Sequence, residues 1–247
     1  MSTKSEMEIS VIIPVFNESG NLPPLFAEID QLKAKMPSGF EVIFVDDCSE
    51  DDSRKILDQK AKASDFIKVL SAKSNMGMGG AIMLGAQKSE GKNIFWAMAD
   101  LSDRLSDIFS IYEKLRSGYD LVIASRAMPG GSYGGLLGWK SFLSHSYSRV
   151  ASLWFGIPVH DLTNAFRGMK RELLFKLKLK SRDFTLSPEM SIKAHRIGAR
   201  ISEIPTIYRY RRAGVSSFKV LKMGYKYASL LSLRFYPAPK SSQEGDL

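Results

Sequence analysis

The chain of 247 residues is 44% hydrophobic, which is enough to build one large domain with a substantial core. Its longest apolar runs, such as ISVIIPVF, have the length of a strand and fall short of the roughly 18 residues that a membrane-spanning helix needs. One cysteine, Cys48, excludes an internal disulfide, and three histidines far apart in the sequence exclude a local zinc motif. The Met-Ser-Thr-Lys start does not resemble a signal peptide, so we expect a cytoplasmic protein.

The chain is basic, with 35 lysines and arginines against 26 acidic residues and a formal net charge of +9. A positive balance of this size suits an anionic partner. Nucleic acid, a phosphorylated small molecule and an acidic membrane surface all satisfy it, and charge alone does not choose among them.

The first half of the chain alternates short apolar runs with longer polar stretches of helical period. The predicted strands are 9–15, 40–46, 66–72, 93–99 and 120–125. The predicted helices lie near 22–36, 51–63, 79–89 and 105–117. Strands that are apolar throughout are buried on both faces, as in a parallel sheet. The sequence therefore predicts an α/β fold with a Rossmann-like, mostly parallel sheet flanked by helices.

The pattern changes after residue 126. The sequence then predicts a Gly-rich loop (PGGSYGGLLG), helices at 139–155 and 188–196, a strand at 200–210 and a basic helix at 217–234. No linker separates two domains. The predicted organisation is an N-terminal tail at 1–8, one domain at 9–235 with halves 9–126 and 127–235, and a disordered tail at 236–247.

Ligands of open α/β sheets bind beyond the carboxyl ends of the strands, so the residues that follow each strand are the candidates for chemistry. These residues are Asn17 and Glu18, Asp46 and Asp47, the stretch NMGMGGA at 75–81, Asp100 and Asp103, and Arg126. We expect them to meet at one edge of the sheet.

Each cluster also has a purely structural interpretation. Residues 49–52 fit a helix N-cap, whereas Asp46 and Asp47 stand at a strand tip where a carboxylate can bind a base or ribose. The Gly-rich stretch is either a turn or a phosphate-binding helix start. Asp100 favours a Mg²⁺ or Mn²⁺ site that holds a diphosphate, and Asp103 fits that role or a loop acid equally well.

The basic residues are candidates for two roles, phosphate binding and contact with a membrane. Arg126, which follows a strand, and the cluster YRYRRAGVSSFK are suited to binding phosphate. The last helix carries lysines on one face and apolar residues on the other, so it either packs on the body of the protein or lies on an acidic membrane. The apolar residues around Trp139 and Phe142 have the same two interpretations.

Several motifs occur in a specific order along residues 9–235. They are ISVIIPVFNESGNL, VIFVDDCSEDDS, NMGMGGA, ADLSD, VIASR, DLTNAFR, the lone Glu189 and YRRAGVSSFK. This ordered set resembles family 2 inverting glycosyltransferases, and more narrowly the dolichyl-phosphate mannose synthase branch with its bacterial polyprenyl-phosphate relatives.

The resemblance implies a GT-A fold and an enzyme that passes a sugar, with inversion, from a GDP- or UDP-sugar to a polyprenyl phosphate. It implies action at the cytoplasmic membrane face, at the membrane surface itself or with a membrane-anchored partner. The implied cofactor is Mg²⁺ or Mn²⁺ on Asp100, to which we add Asp103. The implied catalytic residues are Asp100 and the phosphate-binding residues Arg126, Arg212 and Lys219.

The predicted donor-binding residues follow from the resemblance together with the strand ends. They are Pro14, Phe16, Asn17, Glu18, Val45, Asp46, Asp47, Asn75, Gly80, Met98, Ala99 and Ser102. Met98 stands where the family's Asp-X-Asp metal motif has its first acid, so the chain offers one of the two usual carboxylates.

Three other functions remain open at this point. A glycosyltransferase with a hydroxyl acceptor would need a carboxylate base, for which Asp161 or Glu189 are the candidates. A nucleotide-sugar-binding subunit without activity is suggested by Met98. Nucleic-acid binding is the weakest alternative, because the basic residues do not form a recognisable module, and we expect no nucleic-acid partner.

Overall fold

A computed structural model describes residues 6–36, 39–134, 138–211 and 220–235 of the chain. Within these ranges the strands are β1 (Ile9–Val15), β2 (Phe40–Asp46), β3 (Ile67–Ser71), β4 (Asn93–Trp96), β5 (Leu121–Ser125), β6 (Arg167–Lys170) and β7 (Ile201–Pro205). They form one seven-stranded sheet in the order β3-β2-β1-β4-β6-β5-β7. The predicted disordered tail at 236–247 lies outside the described residues.

Helices connect the strands and cover both faces of the sheet. They are α1 (Leu22–Lys33), α2 (Ser53–Lys62), α3 (Gly77–Lys88), α4 (Asp107–Arg116), α5 (Gly138–Phe155), α6 (Arg171–Lys176), α7 (Leu186–Arg196) and α8 (Val220–Leu230), with a 3₁₀-helix at Leu231–Phe235. Among the described residues, no helix is both long and apolar enough to cross a membrane.

The predicted α/β class is confirmed, and so is the mostly parallel sheet. Strands β1 to β4 pair in parallel, as do β5 and β7. Both β1 and β2 have the predicted bounds, because each is an unbroken run of seven buried residues. In contrast, β4 ends at Trp96 and not at residue 99, so Met98 and Ala99 belong to the loop beyond the sheet.

The sheet has a hydrophobic core on each side. Alternate side chains of β1 point to opposite faces, so that Ile9, Val11 and Ile13 belong to one core while Ile12 belongs to the other. Helices α1 and α4 cover the first core, and α3 and α7 cover the second. Because the strands are covered on both faces, only the sheet ends and edges are left for ligands.

One strand and one helix were not predicted from the sequence. Strand β6 has only four residues, RGMK, of which three are charged or glycine, and it gives no apolar run. It pairs antiparallel with both β4 and β5 and thus lies between them. The short helix α6 follows directly. The two predicted halves of the domain therefore share one sheet.

A glycine allows β6 to fit at the centre of the sheet. A Cβ atom on Gly168 would lie 2.6 Å from the Phe95 ring and 2.7 Å from Ile111, which are both fully buried. We expect Gly168→Ala to lower the free energy of unfolding by about 1–3 kcal/mol, because the added methyl group overpacks this core. Urea denaturation measures the change.

Gly138→Ala is the matched control, since a Cβ atom there would meet no described atom within 4 Å. Its free energy of unfolding should stay within about 0.5 kcal/mol of the wild-type value. Equal stability of the two alanine variants would contradict the claim that Gly168 is packed too closely to accept a Cβ atom.

Candidate active site

The strand ends meet at one cavity of about 1150 Å³. Twelve of the predicted site residues line it: Pro14, Phe16, Asn17, Glu18, Asp47, Asn75, Met98, Ala99, Asp100, Ser102, Asp103 and Arg126. Pro14 lies near the end of β1, and the others come from the segments that follow β1, β2, β3, β4 and β5. The sheet thus places residues far apart in the sequence around a single space.

Three predicted donor-binding residues do not line this cavity. Val45 is fully buried in the core shared with α3. Asp46 is buried at the end of β2, where its carboxylate accepts the backbone N–H of Ser49 at 3.1 Å. Gly80 is buried inside α3. Arg212 and Lys219, the other predicted phosphate ligands, lie outside the described residues.

The loop after β4 turns sharply to present Asp100. Leu101 adopts φ 62°, a conformation that is uncommon for a bulky residue. The turn lets Oδ1 of Asp100 accept the backbone N–H and the hydroxyl of Ser102, at 3.0 and 2.6 Å. Its Oδ2 lies 3.8 Å from the guanidinium of Arg211. Asp100 is therefore held in place with one oxygen directed toward a cation.

Asp103 lies deeper than Asp100 in the same loop. Its Oδ2 accepts the backbone N–H of Met98 at 2.9 Å and so closes the loop on itself. Burial raises the pKa of Asp103 to about 7, against the Met98 hydrogen bond, and the charge of Asp100 adds to the rise. The Asp103 carboxylate is thus costly to ionise in this position.

Glu18 is the second acid that meets Arg211. Its Oε1 lies 2.9 Å from the guanidinium, and its Oε2 accepts the side-chain amide of Asn21. Burial is the largest influence and raises the pKa of Glu18 above its ordinary value, against the effects of the Asn21 and Arg211 contacts. Glu18, Asp100 and Arg211 together make the acidic end of the cavity, which we call the donor end.

The start of α3 is occupied by groups of the protein itself. The carboxylate of Asp47 accepts the backbone N–H groups of Met76 and Gly77, at 2.7 and 2.8 Å. The carbonyl of Arg182 accepts those of Gly79 and Gly80, at 2.9 and 3.3 Å. The N–H of Gly80, which was predicted to bind phosphate, therefore has a partner within the protein.

Arg126 forms a buried ion pair with Asp161. Its Nε and Nη2 donate to the two carboxylate oxygens at 2.7 and 3.0 Å, and Nη2 also donates to Thr163 and Ser144. Burial would raise the pKa of Asp161, but the charge and hydrogen bonds of Arg126 outweigh it and hold this pKa below its ordinary value. The ring of Tyr133 covers the guanidinium at 4.9 Å.

The other candidate base, Glu189, is also neutralised. It is buried in α7, 2.6 Å from Nζ of Lys193, and accepts the backbone N–H groups of Lys180 and Ser181. These contacts outweigh burial and lower its pKa. Glu189 does not line the cavity. Asp161 and Glu189 are therefore weakly basic carboxylates whose oxygens are engaged by other groups, which makes either one a poor general base.

A second part of the cavity wall comes mainly from α5 and α8, and we call it the acceptor end. The sequence did not decide whether these two helices pack on the protein or lie on a membrane. The side chains at the acceptor end are Lys140, Leu143, Ser144, Tyr147, Val150, Phe184, Lys226 and Tyr227. The α5 members recur every three or four residues, which could have marked them as one helix face. The rings of Tyr147 and Tyr227 stack at 4.9 Å, and burial raises the pKa of both.

An open α/β sheet with an acidic cavity beyond its strand ends is the architecture of nucleotide-binding enzymes. The chain matches the sequence profile of Glycosyl transferase family 2 over residues 10–177. It belongs to this family and is a glycosyltransferase.

The relatives fit this assignment. The chain is 28% identical over 213 residues to polyprenol monophosphomannose synthase of Mycolicibacterium smegmatis, covering 83% of this chain and 79% of the relative. It is also 28% identical over 219 residues to undecaprenyl-phosphate mannosyltransferase of Micrococcus luteus, covering 85% and 87%.

The structural comparison supports the fold. Glucosyl-3-phosphoglycerate synthase from Mycobacterium tuberculosis, in complex with Mn²⁺, UDP and phosphoglyceric acid, matches with a TM-score of 0.71. The alignment covers 94% of this chain and 79% of that chain at 17% identity. The predicted GT-A type fold is confirmed.

The Arg126–Asp161 pair gives a prediction about stability. Asp161→Asn should lower the free energy of unfolding at pH 7 by about 3–5 kcal/mol, because it leaves Arg126 buried without its counter-ion. The pKa of Asp161 is lower in the folded state, so its contribution is present above the unfolded pKa and is lost as the pH falls. The difference in the free energy of unfolding between wild type and variant should therefore become smaller as the pH falls.

Urea denaturation at a series of pH values measures this effect. Asp30→Asn, which breaks an exposed pair with Lys60, is the control and should change stability by less than about 1 kcal/mol. If Asp161→Asn behaves like Asp30→Asn, the buried pair does not stabilise this end of the cavity.

Proposed function

We propose that this glycosyltransferase passes a sugar, with inversion, from a nucleotide-diphosphate sugar to a polyprenyl phosphate. The observation that carries the proposal is the shape of the cavity, which joins an acidic donor end to an acceptor end of apolar and cationic residues. The names of the two relatives, a polyprenol monophosphomannose synthase and an undecaprenyl-phosphate mannosyltransferase, support the same acceptor.

The states of the carboxylates favour a phosphate acceptor over a hydroxyl acceptor. A hydroxyl nucleophile needs a base, and both candidates, Asp161 and Glu189, are ion-paired with lowered pKa values. A phosphate monoester has its second pKa near 6, so it is already a nucleophile at about pH 7. The protein then needs only to hold two anions in line for the displacement.

Lys140 is the described cation best placed for the acceptor phosphate. It lines the cavity one helical turn from Ser144, whose hydroxyl also lines it. No described carboxylate lies within ion-pairing distance of Lys140, whereas Lys226 is paired with Asp183 and Arg126 with Asp161. A phosphate at the acceptor end would therefore supply the counter-charge that Lys140 lacks within the described residues.

Arg212 and Lys219 remain proposed phosphate ligands. Arg212 directly follows Arg211, and Lys219 directly precedes α8; Arg211 and Gly224 of α8 both line the cavity. Arg126 is proposed to act at the same place, where its pair with Asp161 also positions Ser144 and Thr163.

The donor end fits a divalent cation only if the nucleotide shares it. Asp100 offers one carboxylate to the cavity, and one oxygen of Asp103 already accepts the backbone N–H of Met98. The thioether of Met98 is a poor ligand for a hard ion. The described residues contain no group of three His, Cys, Asp or Glu that could hold a metal. Mg²⁺ commonly uses one or two carboxylates plus substrate phosphates. When bound, the ion would neutralise the departing diphosphate.

The specific donor is proposed to be a GDP- or UDP-sugar, with Mg²⁺ or Mn²⁺ as the ion. The base and ribose would meet Pro14, Phe16, Asn17 and Asn75, which line the wall next to the donor end. Met98, Ala99 and Ser102, from the same loop as Asp100, also line the cavity.

A transfer assay tests the function and Asp100 together. The full chain is incubated with labelled GDP-mannose, UDP-glucose or UDP-N-acetylglucosamine, with undecaprenyl phosphate or a free oligosaccharide, and with or without Mn²⁺. We expect transfer to the lipid phosphate from one donor. Asp100→Asn should lower the turnover by about 100-fold or more, as loss of a group that stabilises the leaving charge does elsewhere.

Asp58→Asn, at an exposed pair with Arg54, is the matched control and should keep wild-type turnover. Transfer to the oligosaccharide alone would favour the hydroxyl-acceptor alternative. Binding of a nucleotide sugar without transfer or hydrolysis would favour a subunit without activity. Unchanged turnover of Asp100→Asn would reject its assignment.

We propose further that α5 places the protein on the membrane that holds the acceptor. Its large exposed apolar side chains are Trp139, Phe142, Leu143, Val150, Leu153 and Trp154. Steps of three, four, seven and eleven residues bring them to one face of the helix. The helix has basic but no acidic residues. Leu143 and Val150 also line the cavity, so this apolar face continues into the acceptor end.

Flotation with vesicles of phosphatidylglycerol and phosphatidylcholine tests the membrane proposal. Phe142 and Leu153 are 69% and 76% exposed. Their double replacement by Asp should weaken vesicle binding by at least about tenfold, because each apolar side chain gains about 1.5–3 kcal/mol on burial. Phe109→Asp, on the exposed face of α4, is the control and should bind as the wild type does. Equal flotation of all three proteins would exclude α5 as the contact.

A further inference from the structure

Arg211 occupies the space between the two acids of the donor end. Its guanidinium lies 2.9 Å from Oε1 of Glu18 and 3.8 Å from Oδ2 of Asp100. All three side chains are largely buried, with exposed fractions of 19%, 13% and 12%. A fixed monovalent cation therefore stands beside the carboxylate that would hold a divalent one.

The segment that carries Arg211 is attached to the same loop as Asp100. Two residues earlier, the backbone N–H of Arg209 donates to the carbonyl of Ser102 at 2.9 Å. The guanidinium of Arg209 donates to the carbonyl of Asp103 at 2.7 Å and pairs with Glu28 at 2.8 Å. These contacts hold residues 209–211 against the loop after β4. The position of Arg211 between the acids is thus built into the packing of the site.

We propose that Arg211 makes the binding of a divalent cation at Asp100 depend on the donor diphosphate. The inference rests on the proposed nucleotide-sugar donor. With Arg211 in place, the three side chains carry a net charge of −1, and an ion that approaches Asp100 meets the guanidinium charge close by. The ion alone therefore binds weakly. Arg211 is thus a positioning residue, which influences where both the ion and the nucleotide bind.

A diphosphate reverses this balance. Its oxygens can accept two hydrogen bonds from the guanidinium of Arg211. The side chain of Arg211 then pairs with the donor instead of with the two acids. Asp100 then has an oxygen available for the ion, and the diphosphate supplies further oxygen ligands. Nucleotide and ion should thus bind with positive coupling, and by linkage each raises the affinity of the other by the same factor.

Mn²⁺ binding to the full chain tests this proposal without any transfer reaction. Free Mn²⁺ is measured by electron paramagnetic resonance in titrations of wild type and Arg211→Gln, each with no nucleotide, with UDP and with GDP. In the absence of nucleotide, Arg211→Gln should bind Mn²⁺ about tenfold more tightly, as loss of a nearby like charge predicts. The factor by which the nucleotide raises Mn²⁺ affinity should fall by a similar amount.

Three variants locate the effect. Arg211→Lys keeps the charge and should bind Mn²⁺ alone much more weakly than Arg211→Gln. Asp100→Asn added to Arg211→Gln should remove the gain, because it removes the proposed ligand. Arg116→Gln, at an exposed pair with Glu113 on α4, should match the wild type. Urea midpoints of all variants check that each is folded.

The proposal is overturned if folded Arg211→Gln binds Mn²⁺ alone within twofold of the wild type, or if Arg211→Lys binds it as tightly as Arg211→Gln. Failure of the proposed function gives a different result, in which neither UDP nor GDP binds to the wild type. The comparison of Mn²⁺ affinities without nucleotide still decides the role of Arg211 in that case.

Discussion

The convergence of strand ends at one edge of the sheet brings several carboxylates together, and their mutual repulsion is the constraint on which the site depends. Each acid has its own compensation. Asp47 is held by the start of α3, Asp100 by Ser102 and Glu18 by Arg211. Asp103, which has the Met98 N–H, keeps a pKa near 7 because burial dominates. The fold thus tolerates an acidic cavity through specific local donors.

This compensation separates the acids by function. Asp47 satisfies backbone N–H groups of α3 and so contributes to the shape of the site. Asp161 neutralises Arg126 and organises Ser144 and Thr163 around it. At the donor end, the Glu18 and Asp100 carboxylates share the guanidinium of Arg211, which a bound diphosphate could also attract. The chemistry of the cavity is therefore concentrated in a small part of its wall.

The sequence predicted which strands end at the cavity, because their continuous apolar runs are typical of buried strands. It could not predict β6, whose four residues are held by pairing with β4 and β5 and have no apolar pattern. Nor could it show the partner of Gly80, a predicted phosphate ligand, because the Arg182 carbonyl that accepts its N–H comes from a loop about a hundred residues away. Contacts between distant segments are what the sequence pattern does not reveal.

The choice between neighbouring arginines shows the same limit. The motif YRRAGVSSFK gave Arg212 as a predicted phosphate ligand, and the structure adds its neighbour Arg211, which lies between Glu18 and Asp100. Spacing identified the segment as basic, but the place of Arg211 at the donor end depends on how Arg209 anchors the chain to Ser102 and Asp103. A pattern of charges does not show such a contact.

Helix α5 connects the two physical problems that a lipid phosphate presents. Its phosphate needs cations and its chain needs an apolar path, and the helix carries Lys140 and Ser144 toward the cavity beside the apolar side chains of Leu143 and Val150. A soluble hydroxyl acceptor would need a base and would gain nothing from such a face. Asp161 is ion-paired with Arg126, and Glu189 is ion-paired with Lys193 away from the cavity, so neither is a ready base for a sugar hydroxyl, whereas α5 offers what a lipid phosphate needs.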